Sequence, residues 1–196
     1  MKICLVRHGE TDWNQLGKLQ GRQDIPLNDV GVAQAAQVAT FLATGEWHGI
    51  ITSPLARAKQ TAHIIARALN LAVREDAGFL EQDYGKASGM TLAQRKQAYP
   101  DGRYEGMEPW VHVQDRTWKS LQTHACAHPK QNLIIVSHGG AINSLLARLT
   151  NDAIGTGENR LKNACITMLI NCDGALALGF YNQTAAELLQ DIKNPV

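Results

Sequence analysis

Cysteine is scarce in this chain. Its 196 residues hold four, Cys4, Cys126, Cys165 and Cys172, and no two have CxxC spacing. That argues against a zinc ribbon or a disulfide framework and leaves reduced thiols, with Cys4 and Cys165 inside strand-like runs. Excess charge is missing too. At a formal net charge of +1, no global field draws the chain to nucleic acid or a membrane surface, so any anion site must be local. No apolar run approaches the length of a membrane span. Met1-Lys2-Ile3-Cys4-Leu5 runs straight into a strand, without the apolar region and small-residue cleavage site of a signal peptide. A cytoplasmic location is expected. Metal-ligand spacing is absent: His48, His63, His112, His124 and His128 are scattered, and the i,i+4 pair His124 and His128 lacks a third ligand. No metal or cofactor is expected.

What is present is an ordinary globular composition, 44% hydrophobic and 19% charged, in a length suited to one α/β domain. Two stretches stand out, Leu5-Val6-Arg7-His8-Gly9-Glu10-Thr11 and Ile134-Ile135-Val136-Ser137-His138-Gly139-Gly140. Each is an apolar run ending in histidine and glycine. Runs without polar alternation read as strands buried on both faces, and open α/β sheets bind ligands outside the carboxyl ends of such strands. If the two strands are parallel neighbours, His8 and His138 face one substrate.

Between them, a polar loop spans Gln15 to Asn28. Asn28 or Asp29 caps a helix whose apolar face is Val32, Ala35, Ala36, Ala39 and Leu42. Gly49 to Thr52 reads as a strand, and Ser53-Pro54 as N-cap and first position of a helix running to about Leu69, with Ala58, Ala62, Ile65 and Leu69 inward. Leu71 to Arg74 is a short strand, and Phe79 to Gly89 an irregular loop. Two helices, Thr91 to Ala98 and Val111 to Ala127, form an insertion over the sheet at roughly residues 90–130. Val111, Trp118, Leu121 and Ala125 mark the inner face of the second. The fold resumes with a strand from Leu133, a helix from Ala141 to Leu149, a loop with Gly155 and Gly157, and strands Cys165 to Asn171 and Ala175 to Tyr181. Asp173-Gly174 is a hairpin turn signal between the last two. The reading is a single domain, 1–196, with a helical cap.

Arg57 falls in the first turn of its helix, where a cation opposes the macrodipole. A bound phosphate would rationalise the placement, and so would plain solvation. The segment alone does not choose.

Four blocks together resemble the histidine phosphatase superfamily, the fold of the phosphoglycerate mutases and related acid phosphatases. They are Arg7-His8-Gly9-Glu10-Thr11 with Trp13-Asn14 and Gln20-Gly21; Ser53-Pro54-Leu55 with Arg57-Ala58; Glu81 through Gly85 to Gly89; and Ser137-His138-Gly139-Gly140. Their order and joint spacing make the resemblance specific. It implies a three-layer α/β/α sandwich with a mostly parallel central sheet and a small helical cap.

The resemblance also implies roles. His8 is the nucleophile that forms a phosphohistidine, kept neutral by burial, Arg7, Arg57 and a protonated His138. Arg7 and Arg57 fork onto phosphate oxygens, and His138, Asn14, Gln20, Gly21 and Gly139 complete the phosphate seat. Glu81 is the general acid, with Asp83 as the nearby competitor. Gly106-Met107-Glu108, with Arg116 later, partly matches a Gly-Gly-Glu-Ser segment of relatives, from which Met107 and Pro109 depart.

The short stretch between Glu81 and His138 resembles the phosphatase branch, since mutases carry a longer insertion there. The expected activity is metal-independent hydrolysis of small phosphorylated metabolites, with no nucleic acid or membrane partner and a homodimer left open. The alternatives are a phosphoglycerate mutase, a phospholigand-binding module without turnover, or a phosphoprotein phosphatase. Gln20, Arg22, Gln23, Tyr104, Met107, Glu108 and Trp110 are candidates for the far half of the pocket, while Trp118 reads as packing. Their mixed chemistry implies modest selectivity among small phosphomonoesters.

Overall fold

The computed structural model describes residues 1–155, 160–172 and 175–193. In chain order the elements are β1 (Lys2–Arg7), α1 (Asp12–Gln15), α2 (Asp29–Leu42), β2 (Gly49–Thr52), α3 (Ala56–Leu69), β3 (Val73–Glu75), α4 (Leu92–Ala98), α5 (Trp110–Ala127), β4 (Leu133–Ser137), α6 (Gly139–Leu149), β5 (Ile166–Cys172), β6 (Ala175–Gln183) and α7 (Ala185–Lys193). Six strands form one sheet in the order β3-β2-β4-β1-β5-β6. The first four are parallel, and β5 and β6 run antiparallel at one side.

The unbroken apolar runs make sense in this sheet. In β1, Cys4 and Val6 point to one face while Ile3 and Leu5 point to the other, and β4 divides Ile134 and Val136 from Leu133 and Ile135 in the same way. Helices α2, α3 and α7 cover the first face with Val38, Leu42, Ala58, Ala62, Ile65 and Leu188. Helices α5 and α6 cover the second with Leu121, Ile142, Leu145 and Leu146. With both faces buried, truncating a central side chain such as Ile135 to alanine costs about 2–5 kcal/mol.

Several helix details differ from the sequence reading. Asn28 does cap α2, accepting from the Gly31 N–H at 2.8 Å. However, the buried face is Gly31, Ala35, Val38, Ala39 and Leu42, and Val32 is exposed. Helix α3 starts at Ala56 rather than at Pro54, and Ser53 is not its cap. Asp24 reaches across from the polar loop to accept from the Ala56 N–H at 2.6 Å, a long-range partner that local spacing cannot show. In α5 the inner face is Val113, Thr117 and Leu121, with Val111 exposed. Of the 90–130 segment, α5 lies mostly in the layer beside α6. Helix α6 begins two residues early, at Gly139, with His138 in the N-cap position. The Asp173-Gly174 turn and Gly157 lie outside the described residues.

The polar loop is tied down. Leu19 donates to Met90 O at 3.0 Å and Gly89 to Leu19 O at 2.7 Å, which fixes the loop against the start of α4. Among the described residues no helix is long and apolar enough to cross a membrane. Cys4 and Cys165 are unpaired and buried. Burial raises both thiols, Cys165 to about 11, as packing cysteines should behave.

Candidate active site

Parallel pairing of β1 with β4 sets Arg7 opposite Ser137, so the next residue of each strand, His8 and His138, leaves the sheet at the same edge. The His8 N–H donates to Ser137 O at 2.9 Å, and the two imidazole centroids lie 5.2 Å apart. His8 Nδ1 is 2.6 Å from Gly9 O. A carbonyl only accepts, so Nδ1 carries the proton and Nε2 keeps its lone pair. The chain turns tightly here: a Cβ on Gly9 would sit 2.4 Å from Gly31 O, so glycine is required.

Burial, then the cations Arg57 and Arg7, hold His8 well below the usual imidazole range, so it is neutral and nucleophilic at neutral pH. His138 is held low by burial, Arg57, His8 and Arg7 as well. That corrects the expectation of a protonated His138. Two guanidiniums and a second buried ring disfavour another cation here. His138 is fully buried behind His8, its Nε2 2.7 Å from Ser53 Oγ and its Nδ1 without a hydrogen-bond partner. Ser53, read in the sequence as a helix cap, instead orients this ring.

Arg57 is 1% exposed. It donates from Nη1 to Gln23 O at 2.7 Å and from Nη2 to Gly21 O at 2.8 Å, which folds the polar loop over α3. Burial lowers it to about 10, still charged at neutral pH. Solvation therefore does not explain its place in the first turn. Arg7 donates through Nη1 to Leu161 O. Among the described residues, no carboxylate lies within ion-pair distance of either arginine. Both keep a buried Nε with no partner. Two buried, unneutralised guanidiniums beside a neutral imidazole form a seat for an anion.

Glu81 closes the other side. Its carboxylate accepts from the N–H groups of Gly140 at 3.0 Å, Ala141 at 3.1 Å and Gln82 at 2.9 Å, so the N-terminus of α6 holds it. A Cβ on Gly140 would meet Glu81 Oε1 at 2.4 Å, so a side chain there would push the carboxylate out of this position. The competitor Asp83 is occupied elsewhere, accepting from the Gly85 N–H at 2.9 Å.

Arg7, His8, Arg57 and Glu81 line one cavity of about 910 Å³ with Asn14, Gln20, Gly21 and Gly139, while His138 lies behind its wall. Asn14 Oδ1 is already engaged by Thr11 and by Asn163 Nδ2 at 3.1 Å, so only its NH₂ end remains for a ligand. Gln20 is buried, and its Oε1 lacks a partner. Of the residues expected in the far half, Gln20 and Trp110 line the cavity, whereas Arg22, Gln23, Tyr104, Met107 and Glu108 do not. Glu108 instead pairs with Arg116 at 2.8 Å and with Arg22 at 3.2 Å. Arg116 also donates to the carbonyls of Gly78, Leu80 and Glu81. Sequence reasoning missed Tyr84 and Arg95 in the wall. Tyr84 directly precedes the motif glycine Gly85, which could have flagged it. Arg95 carries no local signal.

The sequence profile of the histidine phosphatase superfamily (branch 1) matches residues 3–184. The chain belongs to the histidine phosphatase superfamily. It is 44% identical over 165 residues to the uncharacterized phosphatase PhoE of Bacillus subtilis, covering 84% of this chain and 86% of that one. It is 33% identical over 201 residues to the probable phosphoglycerate mutase GpmB of Proteus mirabilis, covering 96% and 94%. A variant of phosphoserine phosphatase from Entamoeba histolytica, solved with phosphoserine, superposes with a TM-score of 0.81 at 28% identity, covering 92% of this chain and 96% of that one. With phosphatase relatives across most of its length, this histidine phosphatase is a hydrolase of phosphoglycerate mutase-like α/β fold.

Proposed function

We propose that the protein hydrolyses small phosphomonoesters without a metal, through phosphoryl transfer to His8. The observation that carries this reading is the His8 Nδ1 bond to Gly9 O, which leaves Nε2 free between Arg7 and Arg57. The Nε2 lone pair attacks phosphorus as the ester P–O bond breaks, and Glu81, having taken a proton from solvent as the phosphate dianion binds beside it, gives that proton to the leaving oxygen. Water then attacks the phosphohistidine while the Glu81 carboxylate takes a proton from it, the N–P bond breaks, and neutral His8 returns. Arg7 and Arg57 hold the equatorial oxygens throughout, and their charge is where most of the rate arises. His138 orients His8 from behind and lends its Nδ1 once phosphate anchors the site, and Asn14, Gln20, Gly21 and Gly139 line the seat.

In this reading the chain works as one domain, with α4 and the first turn of α5 serving as the cap. A cytoplasmic setting suits the unpaired, buried Cys4 and Cys165. The test is phosphate release from an aryl phosphate in EDTA. Wild type should turn over and His8→Ala should not. Equal activity in both proteins would remove the nucleophile. The relation to GpmB favours a second reading, mutase action, which requires 3-phosphoglycerate to exchange to 2-phosphoglycerate faster than phosphate is released.

A further inference from the structure

Among the described residues, three arginines have a buried Nε with no hydrogen-bond partner: Arg7, Arg57 and Arg95. All three line the same cavity. Two of them flank His8 and are accounted for by the phosphoryl group. The third is on α4, in the wall made of Leu19, Leu92, Tyr84 and Trp110.

Arg95 differs from the other arginines around this segment. Arg22 and Arg116 share the Glu108 carboxylate, and Arg148 pairs with Asp115. Arg95 has no carboxylate within ion-pair distance among the described residues. Among the described residues its guanidinium makes one hydrogen bond, a long one, from Nη1 to the Tyr104 hydroxyl at 3.3 Å. Tyr104 is held in turn by edge-on packing against Tyr99, with centroids 5.4 Å apart. A half-buried guanidinium that lines the cavity, steadied by a neutral phenol and left with an unused buried donor, is a charge kept for a ligand. Lys18 and Arg160 also line the cavity, but Arg160 is exposed and Lys18 lies over the Trp13 ring at 5.6 Å. Neither carries an orphaned buried donor.

We infer that Arg95 is a specificity-determining residue that binds a second anionic group, a carboxylate or a second phosphate, at the end of the substrate away from the transferring phosphoryl group. The substrates favoured are therefore small phosphomonoesters that are also acids, with a short carbon segment lying along Leu19, Leu92 and Trp110. The inference rests on the phosphatase reading for which end of the ligand reacts. The recognition it describes is a matter of binding alone.

The test is calorimetric binding of two probes, 3-phosphonopropionate and propylphosphonate, which differ in the carboxylate. Wild type should bind the carboxylate-tailed probe about tenfold more tightly, the value of one charge-assisted pair. Arg95→Gln should lose that preference while still binding propylphosphonate, and Arg95→Lys should restore part of it. A merely structural Arg95 would weaken both probes alike. Equal affinity of wild type for the two probes, or a preference that survives in Arg95→Gln, would overturn the inference. In parallel, Arg95→Gln should keep wild-type kcat on an aryl phosphate, with the loss on acidic substrates confined to KM. If no His8-dependent turnover is seen while the binding preference holds, the phosphatase reading fails and the second anion site stands.

Discussion

Arg57 donates to the carbonyls of Gly21 and Gln23, and Arg116 to those of Gly78, Leu80 and Glu81. Each gathers one loop of the cavity toward the sheet edge. Their charge states part company after that. Glu108 accepts two hydrogen bonds from Arg116, at 2.8 and 2.9 Å, and that contact, with backbone and Arg22 contacts, holds its carboxyl below the usual range. Among the described residues Arg57 has no carboxylate within ion-pair distance, only Glu81 and Asp24 acting from farther off, and it keeps an orphaned Nε. The same side chain thus serves as a neutralised clamp in one place and as a bare cation in the other. A bare cation draws an anion into the cavity, while a neutralised one shapes the wall without competing for it.

The largest effect that would sharpen this comparison belongs to the group Arg116 positions. Glu81→Gln should lower kcat by roughly 10²–10⁴ on alkyl phosphates, where the leaving oxygen needs a proton. On an aryl phosphate the loss should be much smaller, and equal losses on both would break the assignment. Next, Arg57→Gln should cost about 10²–10³ in kcat whatever the leaving group, since it removes charge from the transferring phosphoryl oxygens. A loss seen only in KM would make Arg57 another loop clamp.

Arg116→Gln should act in the opposite pattern. It leaves three carbonyls without a donor and Glu108 with only Arg22, so urea titration should show a loss of about 2–4 kcal/mol. Its kcat should fall only about tenfold, through misplacement of Glu81. A pH series reports the bare-cation side. His8 and His138 are held below their unfolded values of about 6.5, so below that pH the unfolded chain binds protons that the folded chain does not. Stability should be level above about pH 6.5 and fall as pH drops toward the folded values. Replacing His8 by Asn should reduce that slope and leave the His138 share, and an unchanged slope would mean His8 is not held neutral. The smallest effect is expected at the rim: Arg22→Ala, at a 41% exposed side chain, should change stability by under about 1 kcal/mol.

The sequence made one of these arginines far more visible than the other. Arg57 sits in a motif beside Ser53 and Pro54, and the strands that carry His8 and His138 announced themselves by apolar runs ending in histidine. Those features are local, and the sheet turns them into neighbours. Arg116 and Glu108 were visible only through a partial resemblance, and their actual work, holding the carbonyls that lead to Glu81, depends on contacts across more than thirty residues of chain. The start of α3 was misplaced for the same reason, because its first N–H is satisfied by Asp24 rather than by Ser53. The far wall was least legible. Glu108, Met107 and Tyr104 were expected in the cavity because they lie in the cap segment, yet pairing withdraws Glu108 to Arg116. Arg95, with no motif around it, takes the place they were assigned.

The central claim is that a neutral His8, tautomerically fixed by Gly9, takes the phosphoryl group on Nε2. Its most direct test is to mix wild type with an aryl phosphate, quench in alkali within milliseconds to seconds, and map the modified peptide by mass spectrometry. One phosphoryl group on His8, formed and lost at rates that match turnover, is the expected result. Phosphate release at the full rate with His8 unmodified at every time point would contradict the account.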